Sequence, residues 1–193
     1  MRILIRAVGK IREPWIRDGI AEFSKRLSRY CRVDIEEVAD APDTLPVERV
    51  LQEEGERLLA RIRPTEFVVL SALDGEQVDS LAFSARLSQW IEEGGAQVTF
   101  VLGGSNGVSP AVTARANARL SLSDLTFPHA LARLILLEQI YRAFRIRSGE
   151  PYHKSILRSC PYTCARSPVC CGKAGFLLLL WSHHPQGERR DQR

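Results

Sequence analysis

Apolar positions along this chain switch repeatedly between a strand-like and a helix-like period. Ile3 to Val8 is a short apolar run that ends at Gly9, as a first strand would. Trp15, Ile16, Ile20, Phe23, Leu27 and Tyr30 then recur at helical spacing, with Arg17, Asp18, Lys25 and Arg26 between them, which predicts an amphipathic helix. Arg32 to Val38 alternates apolar and charged residues, the pattern of a half-exposed strand, and leads into the loop Asp40-Ala41-Pro42-Asp43. Val47, Val50, Leu51, Leu58, Leu59 and Ile62 mark a second helix, closed by Pro64. Phe67 to Leu70 and Val98 to Leu102 read as buried strands of the kind found inside parallel sheets. Between them, Asp74-Gly75 predicts a turn, and a third helix runs from Ser80 to Glu93 until Gly94-Gly95 stops it. Pro110 suits the first turn of a short helix, Leu120 to Leu122 a short strand, and His129 to Ile146 a long helix with apolar positions Leu131, Leu134, Leu136, Ile140 and Phe144.

Strands alternating with helices predict an α/β domain with a mostly parallel sheet, and no internal repeat is present. The texture changes after Pro151-Tyr152-His153-Lys154. The remaining 39 residues are rich in Cys, Ser, Arg, Pro and His and have no clear period apart from the apolar patch Ala174 to Trp181. The expected organisation is therefore a domain over residues 1–154 and an atypical extension over residues 155–193, disordered or partly ordered.

Charge and cysteine content divide at the same place. The chain carries a net charge of +4, but the extension holds six basic residues against Glu188 and Asp191, so the domain before it is neutral. Any electrostatic case for a nucleic-acid partner must then rest on local clustering. Cys31 stands alone in the domain, which fits a reducing compartment, and the first residues show no secretory leader, so a cytoplasmic protein is expected. The apolar patch near the end is far shorter than the roughly 20 residues that span a bilayer, and no membrane association is expected.

Three stretches could carry chemistry. Gly103-Gly104-Ser105-Asn106-Gly107 follows a buried strand directly, where open α/β sheets place their ligands, although its spacing matches neither a dinucleotide nor a triphosphate motif. Taken alone, such a turn is as readily structural as ligand-binding. Leu122-Ser123-Asp124-Leu125-Thr126-Phe127-Pro128-His129 is an unusually apolar connection that either packs tightly or lies under an aromatic ring such as adenine. The third stretch, Arg133, Arg142, Arg145 and Arg147 followed by Tyr152, His153 and Lys154, either solvates a helix face or grips phosphates beside an exposed base. Tyr152 and His153 have a sharper reading, as groups that orient or deprotonate a nucleobase nitrogen. In the extension, Cys160, Cys164, Cys170 and Cys171 with His183 and His184 fit no standard paired-cysteine zinc spacing, and no metal is expected.

These stretches in their order, Val101 to Gly107, Leu120 to His129, Leu137-Glu138-Gln139-Ile140-Tyr141-Arg142-Ala143 and Pro151 to Lys154, resemble the large-subunit ribosomal RNA methyltransferase H family of the SPOUT superfamily. The resemblance also covers Ala7-Val8-Gly9-Lys10 and Glu53-Glu54-Gly55. It implies an α/β domain with a C-terminal trefoil knot, a homodimer with its site at the interface, and S-adenosyl-L-methionine as cofactor. The implied reaction is methylation of N3 of a pseudouridine in 23S ribosomal RNA on the assembled ribosome. By position, the resemblance assigns the cofactor to Leu70, Ser71, Gly103, Gly104 and Leu122, Ser123, Asp124, Leu125, Thr126 and Phe127. Arg142, Tyr152 and His153 take catalytic roles, and His129, Arg142 and Lys154 face the RNA. Members carry a Leu-Asp pair where this chain reads Leu70-Ser71-Ala72-Leu73-Asp74, so the register is open there by two or three residues. The alternatives are a ribosome-binding assembly factor without turnover and a SPOUT enzyme acting on transfer RNA. The family ordinarily ends near the Tyr-His-Lys motif, and the extension departs from it.

Overall fold

Strands and helices alternate from the first residue onward in the computed structural model, which describes residues 1–42 and 44–154. The extension, with its four cysteines and the zinc spacing weighed for them, lies outside the described residues. The elements are β1 (Arg2–Val8), α1 (Pro14–Leu27), β2 (Arg32–Val38), α2 (Val47–Leu59), β3 (Phe67–Gln77), α3 (Ser80–Glu93), β4 (Gln97–Leu102), α4 (Pro110–Arg115), β5 (Ala118–Ser121) and α5 (His129–Arg147). The strands form one sheet in the order β2-β1-β4-β3-β5, and every pairing is parallel.

Alternation along the strands sorts side chains onto two layers of helices. Ile3, Ile5 and Ala7 of β1, Val69 of β3, and Val98, Phe100 and Leu102 of β4 meet α1, α3 and α5 on one face. Val68 and Leu70 of β3, Val101 of β4 and Val8 point the other way and meet Leu58 of α2 and Val112 of α4. Both faces are covered, which is why the central strands read as near-continuous apolar runs. Leu136, Leu137 and Ile140 of α5 are fully buried, and each contributes roughly 1.5–3 kcal/mol by leaving water. Cys31 is a free buried thiol pushed up to about 11 by its burial, so it behaves as a small core residue and not as a nucleophile.

The sequence expectations differ from the structure mainly at β3. Asp74-Gly75 does not end the strand. Ser71 and Glu76 both align with Leu120 of β5, so the four residues between them bulge out of the ladder before pairing resumes at Gln77 and Ser121. That bulge lies at the carboxyl end of the sheet and becomes one wall of the cavity described next. Among the described residues no helix is long and apolar enough to cross a membrane, and no group of three or more potential metal ligands gathers.

Candidate functional site

The loops leaving β3, β4 and β5 at the carboxyl end of the sheet enclose a cavity of about 840 Å³, large enough for a nucleoside-sized ligand. One wall is the β3 bulge, from Ser71 to Asp74. The floor is the turn from Gly103 to Val108, and the opposite wall runs from Leu122 to Ala132 at the start of α5. The turn closes on itself by a bridge between Gly104 and Gly107, with the Gly107 amide donating to the Gly104 carbonyl at 3.2 Å. The wall from Leu122 onward is held by Ser123. Its carbonyl accepts from the Ser121 hydroxyl at 3.0 Å, and its own hydroxyl accepts from the Leu125 amide at 3.0 Å. Leu73 and Leu125 stand at the rim, 65% and 69% exposed, and give the entrance an apolar lip. Asp74, also at the rim, pairs with Arg119 at 2.7 Å.

Of the residues assigned to the cofactor, Ser71, Gly103, Gly104, Leu122, Ser123, Leu125, Thr126 and Phe127 line this cavity together, and His129 joins them. Leu70 and Asp124 do not line it. The Leu70 side chain is fully buried against α2 and α4, and Asp124 points to solvent. The sequence reading passed over Val108 and Ala132, and of the stretch from Leu70 to Asp74 whose register it left open, Ser71 to Asp74 line the cavity. The polar Asp74-Gly75 pair inside a strand pattern marks a bulge as readily as a turn.

The basic stretch divides in two. Arg133, grouped above with the arginines that could grip phosphates, is fully buried and cannot meet RNA. Its guanidinium donates to the Val8 carbonyl, to the Gly9 carbonyl at 2.8 Å and to Glu37 at 3.0 Å, so it fastens α5 to the end of β1. Burial lowers its pKa against the pull of Glu37. Arg142 lies farther along α5, ion-paired with Glu138 and placed over the Tyr152 ring at 4.8 Å. The Tyr152 hydroxyl donates to Glu138 at 3.0 Å, and its ring meets the Tyr141 ring edge-on at 5.0 Å. Burial and the Glu138 bond raise the Tyr152 pKa, with Arg142 opposing, so the side chain rests as a neutral phenol. His153 is half-buried, its Nδ1 without a partner among the described residues, and Lys154 is exposed.

These groups do not share the cavity with the cofactor candidates. Arg142 lies thirteen positions after His129 on α5, roughly 20 Å along the axis. In a single chain, the Tyr152 cluster therefore stands well away from the Gly103-Gly104 turn.

Comparison with known proteins adds the family to this geometry. Residues 1–153 match the family described as predicted SPOUT methyltransferase. The chain is 50% identical over 160 residues to the ribosomal RNA large subunit methyltransferase H of Bifidobacterium animalis, covering 80% of this chain and all of that protein. Proteins of the same name from Desulfitobacterium hafniense and Streptococcus sanguinis are 51% and 45% identical over 159 residues. Each match covers 80% of this chain, with 99% and 100% of the relative covered. A probable rRNA-methyltransferase from Porphyromonas gingivalis superposes on 76% of this chain and 69% of its own with a TM-score of 0.45 and 12% identity, too distant to add to the sequence matches.

Proposed function

The chain belongs to the ribosomal RNA large subunit methyltransferase H family of SPOUT methyltransferases, and from that premise we propose that it methylates N3 of a pseudouridine in 23S ribosomal RNA, on the assembled ribosome. The observation that supports this reading best is the cavity itself. It joins the Gly103-Gly104 turn to the Leu122–Phe127 wall in a chain that spans the whole length of its relatives.

The residues present fit S-adenosyl-L-methionine. Leu122, Leu125 and Phe127 offer apolar surface to an adenine ring, and Gly103 and Gly104 line the floor beneath it. When bound, this cofactor supplies a methyl group made electrophilic by a sulfonium, chemistry that calls for no metal. The protein then has to hold the imide nitrogen in line and accept its proton. Arg142 and Lys154 supply positive charge that favours the nitrogen anion as N3–H ionises. His153, half-buried beside Tyr152 in the sequence, is the group assigned to accept that proton. Tyr152, a phenol committed as donor to Glu138, orients the base.

Separation of the two groups within one chain favours a homodimer in which the Tyr152–Lys154 end of one copy completes the cavity of the other. A trefoil knot is the finer reading of the fold. β5 lies beyond β3 while β4 lies on its near side, so the connection after Gly103 crosses β3 through α4, whose Val112 packs with Val68 and Leu70. Threading there is an exception to the usual rule for chain paths. Residues 1–154 form the methyltransferase domain in this reading, the extension is an appendage to it, and the protein works in the cytoplasm.

Methyl transfer from labelled S-adenosylmethionine to intact ribosomes, free large subunits and transfer RNA tests the proposal. Label in 23S RNA of intact ribosomes is expected. Label in transfer RNA would redirect the enzyme to that substrate, and a chain without cofactor affinity would leave a ribosome-binding assembly factor. In the same assay, the Tyr152→Phe, His153→Ala double variant is expected to lose about 100-fold or more in kcat, within the range general acid–base groups contribute. Full activity of that variant would remove both residues from the chemistry.

A further inference from the structure

Two glycines and two side chains exchange places between α2 and the loop that follows β4. A Cβ on Gly104 would stand 2.7 Å from Glu54 Oε2, so the carboxylate occupies the space that the glycine leaves. A Cβ on Gly55 would fall on the Ser109 hydroxyl and 2.9 Å from Ser109 Cβ, so that side chain fills the notch in α2. Ser109 is also the cap of α4, its Oγ accepting from the Val112 amide at 3.4 Å. Both ends of the loop from Gly103 to Ser109 are thus seated on one Glu-Gly pair.

Neither residue of that pair is what α2 would choose for itself. Glycine inside a helix lowers its stability, and a carboxylate 5% exposed is expensive unless its oxygens are satisfied. Only half of this one is. Oε1 accepts the Ala41 amide at 3.1 Å, whereas Oε2 is buried against Gly104 without a partner among the described residues. Two unfavourable choices side by side have one common consequence, the placement of the turn that floors the cavity. Through Ala41 the same carboxylate ties in the loop after β2, so α2 braces the ends of two strands at once.

We propose that Glu54 and Gly55 form a clamp that sets the Gly103–Ser109 loop for cofactor binding, with Glu54 a positioning residue that does not itself touch the cofactor. The inference rests on the methyltransferase reading. It predicts that the clamp governs cofactor affinity and leaves the chemical step alone, because Glu54 lies behind the turn and away from the nucleobase site.

Calorimetry with S-adenosylmethionine on the full chain, thermal unfolding without ligand, and kcat at saturating cofactor test it. Glu54→Ala is expected to weaken binding about tenfold or more, with kcat at saturation within about twofold of wild type. Glu54→Gln, which keeps the shape behind Gly104, is expected to stay within about threefold. Gly55→Ala should weaken binding similarly, and adding Ser109→Gly, which vacates the notch and still tolerates a helix N-cap, should restore it. The clamp is overturned if wild type binds and both Glu54→Ala and Gly55→Ala bind equally well, or if Ser109→Gly gives no recovery. A wild-type chain that binds no cofactor overturns the methyltransferase reading, and the clamp with it.

Discussion

Gly103→Ala is expected to weaken S-adenosylmethionine binding about 100-fold or more, a loss of about 2.7 kcal/mol, with the sheet behind it intact. A Cβ at this position would collide with the Gly107 carbonyl and stand 2.6 Å from Val108 Cγ1. The first of these is main chain held in the bridge that closes the turn, so it cannot swing aside as a side chain would. The turn must open, and the cavity floor moves with it. Gly104 makes the useful contrast. Its nearest obstacle is the end of the Glu54 side chain, which can rotate, so Gly104→Ala should cost clearly less than Gly103→Ala. Calorimetry on both variants, with thermal unfolding as the control for folding, checks the ranking. Binding by Gly103→Ala within about threefold of wild type would show that the turn is not the cofactor floor.

Arg133→Met is expected to destabilise the fold by about 2–4 kcal/mol, because two carbonyls beside a fully buried guanidinium lose its donors. Methionine fills much of the same volume, so the loss would come from polar groups and not from a void. Without the guanidinium, the Val8 and Gly9 carbonyls lose their donor, whereas Glu37 is exposed and keeps the Ile11 amide. Urea unfolding at fixed protein concentration measures the effect, and the concentration matters because a dimer would contribute to apparent stability. A second readout is local. His129 Nε2 would lie 3.2 Å from a Cβ on Gly9, so releasing Gly9 should also disturb the cavity wall and weaken the cofactor. A loss below about 1 kcal/mol would mean that water replaces the guanidinium at no great cost.

Much of the fold was legible because the two periods of apolar residues have a direct physical meaning. Val68, Leu70 and Val101 need one helix layer and Val69, Phe100 and Leu102 need the other, so strands without polar alternation announced a sheet covered on both sides. The second half of β3 escaped notice because Asp74 and Gly75 break the apolar pattern, and periodicity cannot separate a turn from a bulge. Arg133 escaped for a related reason. A charged residue on a helix is ordinarily solvated, and only the three-dimensional approach of Val8, Gly9 and Glu37 shows why this one is not. The cofactor stretches were legible as loops at the right ends of strands, but their partnership with each other came from the family resemblance and not from pattern. Glu54 was visible only as one member of a motif. Its exchange of space with Gly104 depends on residues fifty positions apart, which no local period records.

The bulge in β3 has a consequence for how such a protein can change over time. Sheet register is settled on either side of it, at Ser71 and again at Glu76, both opposite Leu120. Substitutions at Ala72 and Leu73 can reshape the rim without asking any strand to re-pair, whereas Gly75 is fixed, because a Cβ there would stand 2.5 Å from the main chain of Leu120. The character of the wall around Leu73 is therefore free to drift while Gly75 holds the bulge against β5, and ligand preference can be retuned from residues on which the strand pairing does not depend.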